Sequence, residues 1–121
     1  MPTLTAEFAS DQRTFAPGEP IDGLAGWDLE GKPRKWVEVR LFWATSGKGT
    51  PDAVIVDAVK FEDPADIDAQ AFHFTAPEGP LSYEGRLIEI GWGVEVVAHK
   101  VREPARLECL LSTTGQPVQT A

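Results

Sequence analysis

Residues 83–100 read Tyr83-Glu84-Gly85-Arg86-Leu87-Ile88-Glu89-Ile90-Gly91-Trp92-Gly93-Val94-Glu95-Val96-Val97-Ala98-His99-Lys100, and every even position from Ile88 to Ala98 is apolar. Glu89, Gly91, Gly93, Glu95 and His99 fall between them, so the period is two, the signature of a strand with one buried face. Read as one strand, the segment crosses a whole domain at ~3.3 Å per residue. Such a strand needs neighbours on both edges and a second sheet over its apolar face. The rest of the chain has to supply them.

A chain of 121 residues is expected to form one domain able to bury a core without disulfides or metals. Ten prolines and eleven glycines interrupt short apolar runs. No window carries a sustained helical stripe, so the chain is read as all-β. The formal net charge of −8 opposes encounter with nucleic acid and with anionic membrane surfaces. Cys109 is the single cysteine, which excludes an internal disulfide. No apolar run reaches the length of a membrane span or of a signal-peptide core. These features lead to the expectation of a cytoplasmic protein without direct membrane insertion, and Met1-Pro2-Thr3 reads as a native start.

Leu4, Ala6 and Phe8 alternate with polar neighbours in a first strand, placed at an edge. Pro17-Gly18 supplies the fixed φ and the permitted positive φ of a turn, after which Ile21, Ala25, Trp27 and Leu29 share one face. Glu30-Gly31-Lys32-Pro33-Arg34-Lys35 reads as a polar hairpin connection. It is the densest basic cluster and is better read as a solvated turn than as an anion site. Residues 36–44 place Val37, Val39, Leu41 and Trp43 inward and Glu38, Arg40, Trp36 and Phe42 outward. Residues 53–61 are a strand of mixed pattern, which implies apolar contact on both sides or a bulge. Residues 69–75 put Phe72 and Phe74 inward and His73 outward, and residues 105–111 bury Ala105, Leu107, Cys109 and Leu111. Residues 1–111 are thus taken as the domain and residues 112–121 as a flexible tail. About seven such runs spaced by turn residues describe an antiparallel two-sheet sandwich of immunoglobulin-like kind.

The chemistry is sparser. Gly47-Lys48-Gly49-Thr50 lacks the first glycine of a phosphate loop and runs into Pro51 instead of a helix. Asp66 and Asp68 are the ligands of choice if the acidic loop of residues 62–68 holds a metal, but that loop lacks an EF-hand's spacing and glycine. A solvated loop is the simpler reading. His73 and His99, both read as outward on strands, have no placed companions for zinc or for acid–base work. Cys109 reads as a small core hydrophobe. No cofactor is expected. Trp36 and Phe42, with Arg40 between them, form the expected binding surface, because two large aromatics on a wet face need a cover.

Three segments carry a resemblance. Phe15-x-Pro17-Gly18-Glu19-x-Ile21-x-Gly23 resembles the aromatic-x-Pro-Gly-Glu-x-aliphatic-x-Gly start of the second strand in arrestin-like domains. Phe72-x-Phe74-x-x-Pro77, followed by Pro80-x-Ser82-Tyr83-x-Gly85, is similar to their later strand, Pro-rich turn and Ser-aromatic-x-Gly step. Residues 87–96 are similar to their long aliphatic-aromatic strand. Arrestins, the retromer cargo-adaptor subunit and bacterial sporulation-control proteins share this sandwich, most of them in pairs, whereas this chain has room for one. The resemblance implies a single arrestin-like β-sandwich acting as a non-enzymatic interaction or scaffold domain. Its partner is expected to be another protein or a second copy of itself. A carbohydrate-binding module stacking sugars on Trp36 and Phe42 is the alternative, and an enzyme of unknown reaction is third.

Overall fold

The computed structural model describes residues 1–33, 35–47 and 52–119. These form ten strands: Thr3–Phe8 (β1), Thr14–Phe15 (β2), Pro20–Asp28 (β3), Trp36–Gly47 (β4), Asp52–Glu62 (β5), Ile67–Thr75 (β6), Tyr83–Glu84 (β7), Ile88–Ala98 (β8), Ala105–Leu111 (β9) and Val118–Gln119 (β10). They make two sheets. The smaller has the order β1-β3-β6 and is antiparallel throughout. In the larger, seven-stranded sheet β8 is central, with β4 and then the edge strand β5 on one side. On the other side β7 pairs with the first part of β8 and β9 with the later part. Short parallel pairings add β10 outside β7 and β2 outside β9. The all-β, two-sheet sandwich expected from the alternation is what forms, with β1 at an edge.

The core lies between the sheets. Val37, Val39, Leu41, Val94 and Val96 face inward from the larger sheet, and Ile21, Ala25, Trp27, Phe72 and Phe74 meet them from the smaller. Full burial of each large apolar side chain contributes ~1.5–3 kcal/mol, so this layer dominates stability. Trp92 stands directly across from Trp43 in the β4–β8 ladder. It is 3 % exposed, and its indole N–H donates to the Pro80 carbonyl at 2.6 Å. Trp27 sets its ring 5.7 Å from that of Phe61 and donates its N–H to the Ala65 carbonyl at 2.8 Å.

Several local expectations change. The long strand across residues 83–100 is a hairpin, β7 to β8, closed by the Gly85 amide donating to the Ile88 carbonyl at 2.9 Å. Apolar alternation begins only at Ile88, so nothing in the pattern held residues 85–87 extended. The connection after Asp28 is not a hairpin. It carries the chain from the smaller sheet to the larger, a distinction that polar turn residues do not encode. Arg34 lies outside the described residues, as do residues 48–50 of the Gly-Lys-Gly-Thr stretch and the Pro51 that follows. Residues 112–119, expected as a tail, are tied down. Ser112 is buried, its hydroxyl donates to the Gln116 carbonyl at 2.5 Å, and β10 then pairs with β7. His99 follows the end of β8 and is half-buried, with its backbone N–H donating to the Trp36 carbonyl at 3.1 Å.

The mixed pattern of β5 has both a bulge and an edge behind it. Leu41 pairs with Asp57 and Phe42 with Ile55, so Val56 is an extra residue and the two halves of β5 are out of phase. The Phe-x-Pro-Gly-Glu segment also has a local cause. Gly18 takes φ of 87° in a turn closed by the Glu19 amide donating to the Ala16 carbonyl at 3.0 Å, with Pro17 before it. The Glu19 carboxylate then accepts the Ala16 N–H at 2.8 Å.

Truncation tests the placement of the indole between the sheets. Trp92→Ala should lower the unfolding free energy by about 3–5 kcal/mol in a denaturant titration; a loss under about 1 kcal/mol is incompatible with the packing described.

Candidate functional site

The outer face of the larger sheet is concave. Its pairing aligns outward residues in rows: Ala58, Arg40, Glu95 and Arg106; then Ile55, Phe42, Gly93 and Glu108; then Ala53, Ala44 and Gly91. The floor drops where the side chains are smallest. Nothing lies within 4 Å of the point where a Cβ on Gly91 would stand. Phe42 lays its ring over Gly93, where an added Cβ would meet ring carbons at 2.7 and 2.9 Å and the Leu107 carbonyl at 2.9 Å. Tyr83, Pro117, Ala53 and Ile55 are among the residues lining the groove, which holds about 790 Å³.

Charge is arranged unevenly around it. Arg40 bonds Glu38 within its own strand and reaches Glu95 at 3.7 Å, and Arg106 meets the second Glu95 oxygen at 3.1 Å. Glu95, with a side chain only 13 % exposed, thus shares its carboxylate between two guanidiniums. Arg13, at the other margin, lies 4.9 Å over the Phe8 ring. Both arginines that line the groove, Arg13 and Arg106, are therefore engaged.

Of the residues singled out from sequence, Phe42 lines the groove and Arg40 borders it within the ion-pair row. Trp36 does not join them. It sits six residues away along β4, about 20 Å in an extended chain. There the Lys60 ammonium stands 5.2 Å from its ring and the His99 ring 6.0 Å away. Parity placed both aromatics off the core, and neither belongs to the buried cluster; parity had no means of showing that the chain's own side chains cover Trp36. Sequence reading missed the groove residues Glu84, Glu89 and Glu108. Their outward position was legible for Glu89 and Glu108, but their convergence depends on the β7 hairpin and the β8–β9 register.

The other candidates stand apart. His73 and Asp22 form a 2.5 Å pair on the outer face of the smaller sheet. Asp66 accepts the Gly31 amide at 2.8 Å and so ties two loops together, and Asp68 accepts the Ala69 amide and the Gln70 side chain at 2.8 Å within its own strand. Among the described residues no three His, Cys, Asp or Glu side chains gather as a metal site. Burial pushes the Cys109 thiol up to about 12, an effect that nearby Arg13 reduces without reversing. Ser82, in the Ser-aromatic-x-Gly step, is a structural clamp: its hydroxyl accepts the Leu111 amide at 2.9 Å, and its own N–H donates to the Leu111 carbonyl at 2.8 Å.

Comparison with solved structures shows what this architecture is. Spo0M, the sporulation control protein of Bacillus subtilis, superposes with a TM-score of 0.52 at 13 % identity, over 98 % of this chain and 50 % of that one. The fold is an all-β sandwich that resembles the arrestin-like fold of Spo0M. The chain thus spans half the length of that neighbour. A β-glucosidase of Listeria innocua aligns with a TM-score of 0.51 at 11 % identity, over 97 % of this chain and 16 % of the enzyme. No protein-family model matches the chain, and comparison with curated proteins gives no match. At these identities the likeness is one of fold.

Two measurements follow from this geometry. Thiol reagents at pH 8 should leave Cys109 unmodified in the native protein and modify it in denaturant, because the neutral thiol is both buried and a poor nucleophile; rapid native labelling would contradict the burial. Gly93→Ala should destabilise by about 1–3 kcal/mol, since the new methyl collides with the Phe42 ring and a backbone carbonyl. A neutral result by thermal melting would mean that Phe42 does not rest on Gly93.

Proposed function

We propose that this domain is a non-enzymatic protein-interaction or scaffold module of arrestin-like type, acting in the cytoplasm. The carrying observation is the outer-face groove, of a size suited to a few side chains of a partner, with Phe42 and Ile55 as apolar contacts. The adjoining edge strand supports the same reading: Val54, Ile55 and Val56 are 37, 51 and 40 % exposed. Consecutive exposed apolar residues at a sheet edge favour partner contact. A catalytic reading has less support. The His73–Asp22 pair lies on the outer face of the opposite sheet, and the buried thiol is held neutral. Sugar stacking on Trp36 has less room than expected, because Lys60 and His99 already occupy its surroundings.

A tagged domain should retain a defined protein from cells of its source. The retained protein, once purified, should bind the domain in titration calorimetry at micromolar concentrations. Phe42→Ser should weaken that affinity about tenfold or more while leaving the fold intact by circular dichroism. If no purified candidate binds, or if turnover of a substrate accompanies the domain, the interaction reading fails.

A further inference from the structure

Glu84 and Glu89 stand directly opposite each other in the β7–β8 pairing. Both are exposed, and like charges in that relation destabilise a sheet. The Glu84 carboxylate accepts a 3.4 Å hydrogen bond from the Gln119 side chain, a neutral group that leaves its charge uncompensated. Neither Glu89 nor Glu108 has a charged partner among the described residues. All three belong to the groove lining, and its two arginines are engaged as described above. The groove therefore offers negative charge that the fold does not use.

Its dimensions add a pattern. Glu108 lies beside Gly93, four residues along β8 from Glu89, which is about 13 Å. Gly91 falls midway, at the open part of the floor. An extended chain laid along β8 presents alternate side chains to the sheet at about 7 Å intervals. Positions i and i+4 then reach the two acidic ends while position i+2 faces the glycine. The open space over the glycine leaves room for the side chain at that position.

We propose that the groove binds an extended segment of a partner protein carrying lysine or arginine at i and i+4. One cation lodges between Glu84 and Glu89, and the other meets Glu108 beside the Phe42 ring. This rests on the interaction-module reading and assigns it a site and a partner chemistry. Charge-assisted hydrogen bonds supply the polar part of the recognition, and removal of the Glu84–Glu89 repulsion favours the bound state.

The test is a titration of isotopically labelled domain with an acetylated, amidated synthetic peptide, Ser-Lys-Thr-Ala-Thr-Lys-Ser. Controls replace both lysines with glutamate or place the lysines side by side. Amide shifts should concentrate at Glu84, Glu89, Gly91 and Glu108, with the glutamate peptide silent and the adjacent-lysine peptide weaker. Glu89→Gln combined with Glu108→Gln should weaken binding about tenfold or more. Gly91→Val, which has open space for its side chain, should do the same while the protein stays folded. Glu84→Gln alone should raise the melting temperature by about 2 °C. Equal binding of the glutamate peptide, unchanged affinity in the variants, shifts elsewhere, or no binding at several millimolar peptide overturns the proposal. The broader reading fails on separate grounds: a domain that ignores the lysine peptide yet binds a purified protein loses this assignment and keeps its interaction role.

Discussion

The antiparallel ladder between β4 and β8 is the contact on which the rest of the molecule depends. It runs from Val37 opposite Ala98 to Gly47 opposite Ile88 without a break. One face of the ladder sends Val37, Val39, Leu41, Val94 and Val96 into the core, where each is nearly or wholly inaccessible. The other face forms the central part of the groove floor with Phe42, Ala44 and Gly91. Because successive side chains alternate, a slip of one residue would exchange these sets and abolish both core and groove. Stability and surface chemistry are thus set by one register.

That register also explains which features the sequence made legible. Alternation at Val37 to Trp43, at Trp92 to Ala98 and at Phe72 and Phe74 reports directly which residues face inward, because burial on one side is a strong and local constraint. The hairpin at Gly85, the passage from β3 to β4 between sheets and the two-residue strands β2, β7 and β10 leave no such trace. Their hydrogen bonds are decided by partners far along the chain, as when Thr14 pairs beside Leu110 and Val118 beside Tyr83. The candidate site divides in the same way. Phe42 was visible as an outward aromatic, whereas the acidic margin required knowing that Glu84 folds back onto Glu89.

The motif that resembles arrestin-like domains works in this protein as architecture. Pro17 and Gly18 turn the chain, Glu19 closes the turn with its carboxylate, and the Ala76 amide donates to the Glu19 carbonyl at 2.8 Å. Ser82 binds the end of β9 in a similar manner. These residues hold loops against the sandwich ends and leave the sheet faces free to differ in chemistry. Similarity of fold to Spo0M at 13 % identity is compatible with that division. Turns and buried positions are constrained by geometry, while the outer faces can carry other residues without altering the sandwich.

The bulge at Val56 has a consequence for growth of the sheet. β5 is the free edge of the larger sheet, and its exposed valines and isoleucine are the composition from which ordered stacks of chains are built. On either side of Val56, however, the outward series changes parity, from Ala53 and Ile55 to Ala58 and Lys60. A straight incoming strand can match one half or the other, and its side chains fall on the wrong face beyond the bulge. The edge therefore accepts a short segment but offers no uninterrupted template for polymerisation.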